Sequence, residues 1–351
     1  MEKKKHLFDY CIGNPPYNED FDNSGENGNY AKPVYNIFMD ATYKVAEKVE
    51  LIHPARFLFN AGSTPKVWNE KMLHDEHFEV LRYEENSAVF FPSLATPIKG
   101  GIAISYRDDK KTVGAIGIFT KYAELNTILK KTGPVDEDHS LMSIVYIQNR
   151  FDLDALYKDH SDYKPYIGSD GKDPRFEKNI FVKIPAFTED KSSESDIRTL
   201  GIFQQKREWR YILEKYVDKN HQNLSKYKVV LSVANGNGEF GQTLGTPVIL
   251  KINEAYTRSF IGIGAFDKEE DAEALLKYLK SKFARAMLSI LKVTQMTNKD
   301  VWRYVPLQDF SPSSDIDWSK SIHEIGLQLY RKYGLDASEI DFIENNVKEM
   351  K

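Results

Sequence analysis

The chain has a single cysteine, Cys11, in 351 residues. One thiol excludes an internal disulfide and a thiolate metal cage, and it suits a reduced compartment. A cytoplasmic protein with no metal site is therefore expected. Long hydrophobic runs are also missing. No stretch approaches the roughly 18 uninterrupted apolar residues of a membrane helix, and no long apolar stretch comes after the opening Met1-Glu2-Lys3-Lys4-Lys5-His6. Neither a signal peptide nor a membrane partner is expected. Positive charge is not in excess either: 48 Lys and Arg against 52 Asp and Glu leave a formal net charge of −4. That sum does not announce a nucleic-acid binder, although a local basic face counts for more than the total. Aromatic side chains are what the chain has in quantity, 20 Tyr and 20 Phe. The length allows two domains, each with a real core.

The most informative stretch is Phe8-Asp9-Tyr10-Cys11-Ile12-Gly13-Asn14-Pro15-Pro16-Tyr17. Leu7, Tyr10, Cys11 and Ile12 predict a short buried strand. Gly13 ends it, and Pro15 and Pro16 stiffen the turn by fixing φ and removing two N–H donors. Pro15 also pushes Asn14 out of helical backbone. The Asn14 side-chain oxygen and the Pro15 carbonyl then form a fixed pair of acceptors beside the flat ring of Tyr17. Such a pair can take the two hydrogens of an exocyclic amino group on a nucleobase, leaving the nitrogen lone pair free to attack a methyl. Tyr17 can stack on a base extruded from the duplex. The plain alternative is a Pro-Pro turn closing a strand.

Asn14-Pro15-Pro16-Tyr17 after a hydrophobic strand resembles the catalytic motif of adenine-specific DNA methyltransferases. The order of the later segments is similar as well. It runs through a helix with Tyr35-Asn36-Ile37-Phe38, a strand ending at Pro54, a helix after Thr64-Pro65, a strand over 78–83, the segment Asn86 to Pro92 and a strand over 101–106. The helix opened by Pro33 carries Val34, Ile37, Phe38, Ala41 and Val45 at helical spacing. The alternation predicts an α/β layered sheet. The resemblance implies the later strands of a Rossmann-like methyltransferase sheet, with S-adenosylmethionine as methyl donor. It implies catalytic Asn14, Pro15, Pro16 and Tyr17, and a target-base contact from Phe91, with Phe90 as second choice. It also implies cofactor contacts from Asn14 and Tyr35. His53 is expected to be structural. Asn18 to Lys32 reads as a surface loop or a flap beside the DNA.

The glycine-rich cofactor loop of such enzymes normally precedes the Asn-Pro-Pro-Tyr motif, and here only 13 residues do so. The expectation is a later part of a longer enzyme, a partner chain that supplies the cofactor half, or a permuted order. Gly236-Asn237-Gly238-Glu239-Phe240-Gly241 is a literal GxGxxG, but a turn and a strand are predicted after it where a dinucleotide fingerprint requires a helix. It reads as a hairpin tip.

The second half predicts a further strand over 113–119, a helix over 122–131 and a turn-rich boundary over 133–180. A β-rich region is expected from Asn179. Lys206-Arg207-Glu208-Trp209-Arg210 is a basic cluster, either phosphate-facing or a solvated helix face. A long amphipathic helix is predicted over 267–292, and after it come Lys292, Gln295, Thr297, Asn298, Lys299 and Arg303, which suit phosphates and base edges. Two helices close the chain, over 319–333 and 337–348. This half resembles, more softly, the α+β target-recognition domains of single-chain, TaqI-type or type IIG, restriction–modification methylases of gamma-like order. The implied division is a catalytic domain over 1–132, a linker over 133–180 and a DNA target-recognition domain over 181–351. DNA-binding residues are then Lys206, Arg207, Lys292, Asn298, Lys299 and Arg303.

The expected function is site-specific methylation of adenine in double-stranded DNA within a restriction–modification system, by a truncated or split enzyme. The alternative is a DNA-specificity subunit without methylation activity of its own. A nuclease reading rests only on Glu189-Asp190-Lys191, with no well-placed upstream acidic partner.

Overall fold

The computed structural model describes residues 6–19, 32–94, 97–133 and 136–350. Most of the Asn18 to Lys32 loop lies outside the described residues. The chain is mixed α/β with several sheets, and it divides into two units, residues 1–126 and 127–351.

The first unit contains β1 (Phe8–Gly13), α1 (Tyr35–Val45), β2 (Ala46–Pro54), α2 (Lys66–Leu73), β3 (Phe78–Glu84) and β4 (Ile102–Asp108). Its sheet has the order β1-β2-β4-β3. β1 runs parallel to β2, and the other pairs are antiparallel. A parallel pair needs a crossover, which α1 provides. Tyr35, Met39, Phe57, Trp68, Met72 and Phe78 pack together as the core.

Three expectations for this unit are corrected. β1 is a strand but not a buried one: among the described residues it pairs with β2 alone, and Leu7 and Ile12 are 76% and 73% exposed. α1 turns Tyr35, Asn36 and Met39 inward, so Ile37 and Phe38 of the predicted apolar stripe face outward. Residues 113–119 form no strand, because their N–H groups serve turn contacts: Val113 and Gly114 both donate to the Glu76 carbonyl, and Gly117 donates to that of Leu73.

The second unit carries β5 (Val145–Tyr146), β6 (Ile197–Phe203), β7 (Lys206–Ile212), β8 (Tyr227–Ser232), β9 (Val248–Leu250), β10 (Glu254–Tyr256) and β11 (Phe260–Phe266). They form two sheets, β10-β6-β7 and β5-β11-β8-β9. Within the supposed linker over 133–180, Phe151, Leu156, Tyr163 and Phe176 are core residues of this unit beside Phe181 and Phe187. Aromatic packing outweighs the turn-rich local sequence there. The segment after Asn179 opens with a helical turn, Ile180–Lys183, rather than a strand. Lys206 to Arg210 lie on β7, so the cluster is not a helix face.

The long helix over 267–292 is two helices, Glu269–Lys280 and Lys282–Leu288. Ser281, fully buried and extended, separates them, and its hydroxyl accepts a hydrogen bond from the Ala284 N–H at 3.2 Å. A serine that caps the second helix competes with continuation of the first. The final helices, Ile322–Lys332 and Ala337–Asn346, both start with capping boxes, Ser321 with Glu324 and Asp336 with Glu339. Lys228 on β8 is fully buried, and its ammonium donates to the carbonyls of Leu224, Lys226 and Lys251 at 3.3, 3.0 and 2.8 Å.

The Gly236–Gly241 loop connects β8 to the antiparallel β9, as a hairpin would, and the next element is a strand, not a helix. Gly238 has φ +89°, and a Cβ there would lie 2.2 Å from the Val293 carbonyl carbon. The glycine serves close backbone packing, not a phosphate. Gly238→Ala should lower stability by at least about 1–3 kcal/mol, the cost of left-handed backbone at a non-glycine residue. Denaturant unfolding of the variant against the parent chain measures this.

His53 is fully buried at the end of β2. Its Nδ1 lies 3.1 Å from the Pro54 carbonyl and its Nε2 2.7 Å from Ser105 Oγ. A carbonyl only accepts, so Nδ1 carries the proton and Nε2 accepts from the serine hydroxyl. Burial pushes the imidazole pKa down to about 4. The unfolded chain therefore binds a proton that the folded chain refuses between about pH 6.5 and 4. The stability contributed by neutral His53 is complete above about 6.5 and is lost as pH falls through about 4, roughly 3 kcal/mol in all. Unfolding free energies measured across that window should slope downward toward acid, and His53→Gln should flatten the slope.

Candidate active site

Parallel pairing of β1 and β2 sets their carboxyl ends side by side, with Gly13 opposite Leu51. The segments leaving those ends are Asn14 to Tyr17 and Pro54-Ala55-Arg56. The crevice outside the carboxyl ends of parallel strands is where open α/β sheets bind ligands. A cavity of about 350 Å³ opens here, lined by Tyr17, Tyr35, Pro54 and Arg56 among others. That volume falls within the range of small-molecule pockets.

Asn14 is exposed, one residue beyond β1, and among the described residues no group is hydrogen-bonded to its side chain. Pro15 is half-buried. The chain beyond is pinned: the Val34 N–H donates to the Tyr17 carbonyl at 3.0 Å, and the Glu19 N–H to that of Lys32 at 2.9 Å. Tyr17 thus has a fixed place although the loop after it is long. Its hydroxyl is turned out of solvent with no partner among the described residues. Burial raises its pKa to about 12, so the phenol stays neutral.

Phe91 meets the Tyr17 ring edge-on, with centroids 6.4 Å apart and planes at 70°. Phe90 instead lies under the Arg82 guanidinium at 5.0 Å. Of the two phenylalanines singled out in the sequence, Phe91 is the one beside Tyr17. Ser87 positions this segment, its hydroxyl accepting from the Ile98 N–H at 2.9 Å and its carbonyl from the Phe91 N–H at 2.9 Å. Tyr35 is buried against His53, their ring planes 4° apart, and its hydroxyl pKa rises to about 12 through burial. Sequence reading missed Arg56 and Lys99 on the cavity wall. The available signals were a cation just past the strand-ending Pro54 and the paired glycines Gly100-Gly101.

In the second unit the predicted basic residues divide. Lys206 is exposed at the start of β7. Arg207 is half-buried over the Phe260 ring at 5.3 Å, with Nη2 3.3 Å from both Ser232 Oγ and the Gly245 carbonyl. Thr297 ties the segment before Asn298 to the end of β8, its N–H donating to the Val233 carbonyl at 2.7 Å. Asn298 and Arg303 are exposed and Lys299 is half-exposed. Lys292 is different: it is buried, and its ammonium donates to the carbonyls of Asn235 and Thr294 at 2.9 and 3.1 Å. It fastens two loops instead of facing a phosphate, a correction to the sequence reading. Trp209 stacks under Arg198 at 4.0 Å.

Glu189 lies on the surface 3.4 Å from Arg210, and Lys191 pairs with Glu194 at 2.9 Å. The described residues hold no group of three or more acidic, His or Cys side chains placed for a metal. No helix among them is long and apolar enough to cross a membrane.

Comparison with known proteins adds a match at the front of the chain. No curated protein matches. Among solved structures, the chain aligns with the type IIL restriction-modification enzyme MmeI in complex with DNA, at 8% identity and TM-score 0.34, over 96% of this chain and 56% of that one. It aligns with the type IIG restriction endonuclease BpuSI at 10% identity and TM-score 0.30, over 90% of this chain and 49% of that one. The chain spans about half the length of either. Residues 1–90, which carry β1, Asn14 to Tyr17, α1, β2 and the segment up to Phe90, match the Eco57I restriction-modification methylase family.

Proposed function

We propose that this chain is the target-base half of a DNA adenine methyltransferase of a restriction–modification system, with its second unit serving to recognise DNA. The observation that carries the reading is that the Asn14-Pro15-Pro16-Tyr17 segment leaves the carboxyl end of β1, in a parallel strand pair, and ends at Tyr17 on the wall of a cavity. The family match over residues 1–90 supports it.

An adenine turned out of the duplex stacks on Tyr17, which Phe91 braces from the side. The adenine N6 donates its two hydrogens to Asn14 Oδ1 and the Pro15 carbonyl. These acceptors hold the nitrogen near tetrahedral, so its lone pair leaves the ring and becomes nucleophilic. S-adenosylmethionine, held from this side by Asn14 and Tyr35, would supply the methyl to this nitrogen from its sulfonium, with the thioether as leaving group. The surplus proton leaves the nitrogen on the side of the two carbonyl oxygens and passes to solvent. Both acceptors are neutral, and Pro15 and Pro16 restrict where the Pro15 carbonyl points.

Asn14 and Tyr35 are the residues that would hold the cofactor from this side. Among the described residues no glycine-rich turn leads from a strand into a helix, and the GxGxxG loop is a packed hairpin. Another segment or a partner chain completes the cofactor site on this reading. The edge of β1 that no described strand pairs with, and the exposed Leu7, Ile12, Ile37 and Phe38, support such a complement. The same observation favours a second reading, a DNA-recognition subunit that methylates only with a partner.

Asn14→Ala should lower methyl transfer to duplex DNA by at least about a hundredfold, the scale for removing one positioned polar group from a preorganised site. DNA binding should be nearly unchanged. Unchanged turnover, measured by transfer of labelled methyl, rules the mechanism out. Titration calorimetry with S-adenosylmethionine separates the readings: binding by the chain alone favours the enzyme, and binding only after a partner is added favours the subunit. Lys299→Ala and Arg303→Ala should each weaken DNA binding and reduce the salt slope by about one phosphate contact.

A further inference from the structure

Arg56 lies two residues past the end of β2, on the cavity wall. Among the described residues no carboxylate pairs with it. Its stem runs in a slot between two turns. A Cβ on Gly100, where φ is +83°, would come within 2.3 Å of Arg56 Cγ, and one on Gly62 within 3.2 Å of Arg56 Cβ. Only glycine leaves room for the arginine at the closer of these places. The slot fixes where the guanidinium emerges. Lys99, next to Gly100, lines the same cavity and has no acidic partner among the described residues. Ser63 adds a hydroxyl to the wall, and among the described residues no Asp or Glu lines it. Several other cations of this unit are paired with acids, as Lys71 with Asp40, Arg107 with Asp75 and Lys111 with Glu79. Two unmatched cations therefore face a cavity whose other walls are largely aromatic and proline rings.

We propose that Arg56 and Lys99 grip a backbone phosphodiester of DNA, next to the nucleotide that enters the cavity. This rests on the reading that the cavity takes an extruded adenine. A planar guanidinium holds two non-bridging phosphate oxygens at once, and an ammonium adds a point charge without fixed direction. Held at its own phosphate, the extruded nucleotide is anchored at both ends, the ring on Tyr17 and the backbone on Arg56. These are positioning residues, and the same oxyanion chemistry belongs to the cofactor's carboxylate and to free phosphate.

The test uses the full chain and a fluorescently labelled duplex of random sequence, with binding read by anisotropy over a salt series. Arg56→Gln and Lys99→Gln should each reduce the slope of log K against log salt by about 0.9, the value for one lost phosphate contact, and Arg56→Lys should keep it. Lys99 is exposed on a turn, so its variant keeps the test alive if Arg56→Gln unfolds. Inorganic phosphate should compete with the duplex for the parent chain more strongly than for the variants. Unchanged slopes in both Gln variants, beside a parent chain that binds DNA and loses methyl transfer on Asn14→Ala, overturn this proposal alone. Unchanged slopes with weakened S-adenosylmethionine binding by calorimetry assign the cations to the cofactor carboxylate and also overturn it. A parent chain that binds no DNA removes this proposal and the methyltransferase reading together.

Discussion

The parallel pairing of β1 with β2 is the constraint on which the site depends. Gly13 opposite Leu51 sets the residues after Gly13 beside the last residues of β2, which ends at Pro54. A slip of one residue would turn every β1 side chain to the other face and shift the segment that carries Tyr17 to the cavity wall. Among the described residues α1 is the one helix between the two strands. His53 strengthens the end of β2 from inside, by joining it to Ser105 on β4 through a neutral imidazole. The polar corner is thus set by backbone geometry and buried apolar contacts, and the functional side chains need no ion pair to hold them.

Much of this is legible in the sequence because the signals are covalent or periodic. Pro15 and Pro16 constrain their own φ angles whatever surrounds them. The strands and helices of the first unit up to β4 come in the expected order, with boundaries shifted by a few residues, and only the strand expected over 113–119 fails to form. His53 reads as structural in sequence and is structural in place. The proximity of Tyr17 and Phe91 comes only through family likeness, since no periodicity relates residues so far apart. The GxGxxG reading turns on the element after the glycines, and that element is the strand β9.

The mismatches have physical causes. Apolar residues on β1 and α1 suggest burial because periodicity reports a face, not the surface that lies against it. Leu7, Ile12, Ile37 and Phe38 are exposed on the first unit. Residues 133–180 resemble a linker because Asp, Lys and Gly dominate locally, whereas a few aromatics spaced along the segment decide its burial. Ser281 breaks a helix that hydrophobic spacing predicts as continuous, since a capping hydroxyl carries no hydrophobic signature. Lys292 stands out in sequence for its charge, and charge alone does not tell a phosphate ligand from an ammonium that fastens loops. Arg56 escapes notice for the opposite reason: its setting is made by glycines away from it in sequence.

Lys228 has a practical consequence. Its amine is enclosed by three carbonyls with no exposed surface. An amine-reactive reagent reaches it only when that part of the second unit opens. The rate at which this one lysine is acylated, tracked by peptide mass, is then a native clock for opening of the unit, with no dye or engineered probe added to the chain.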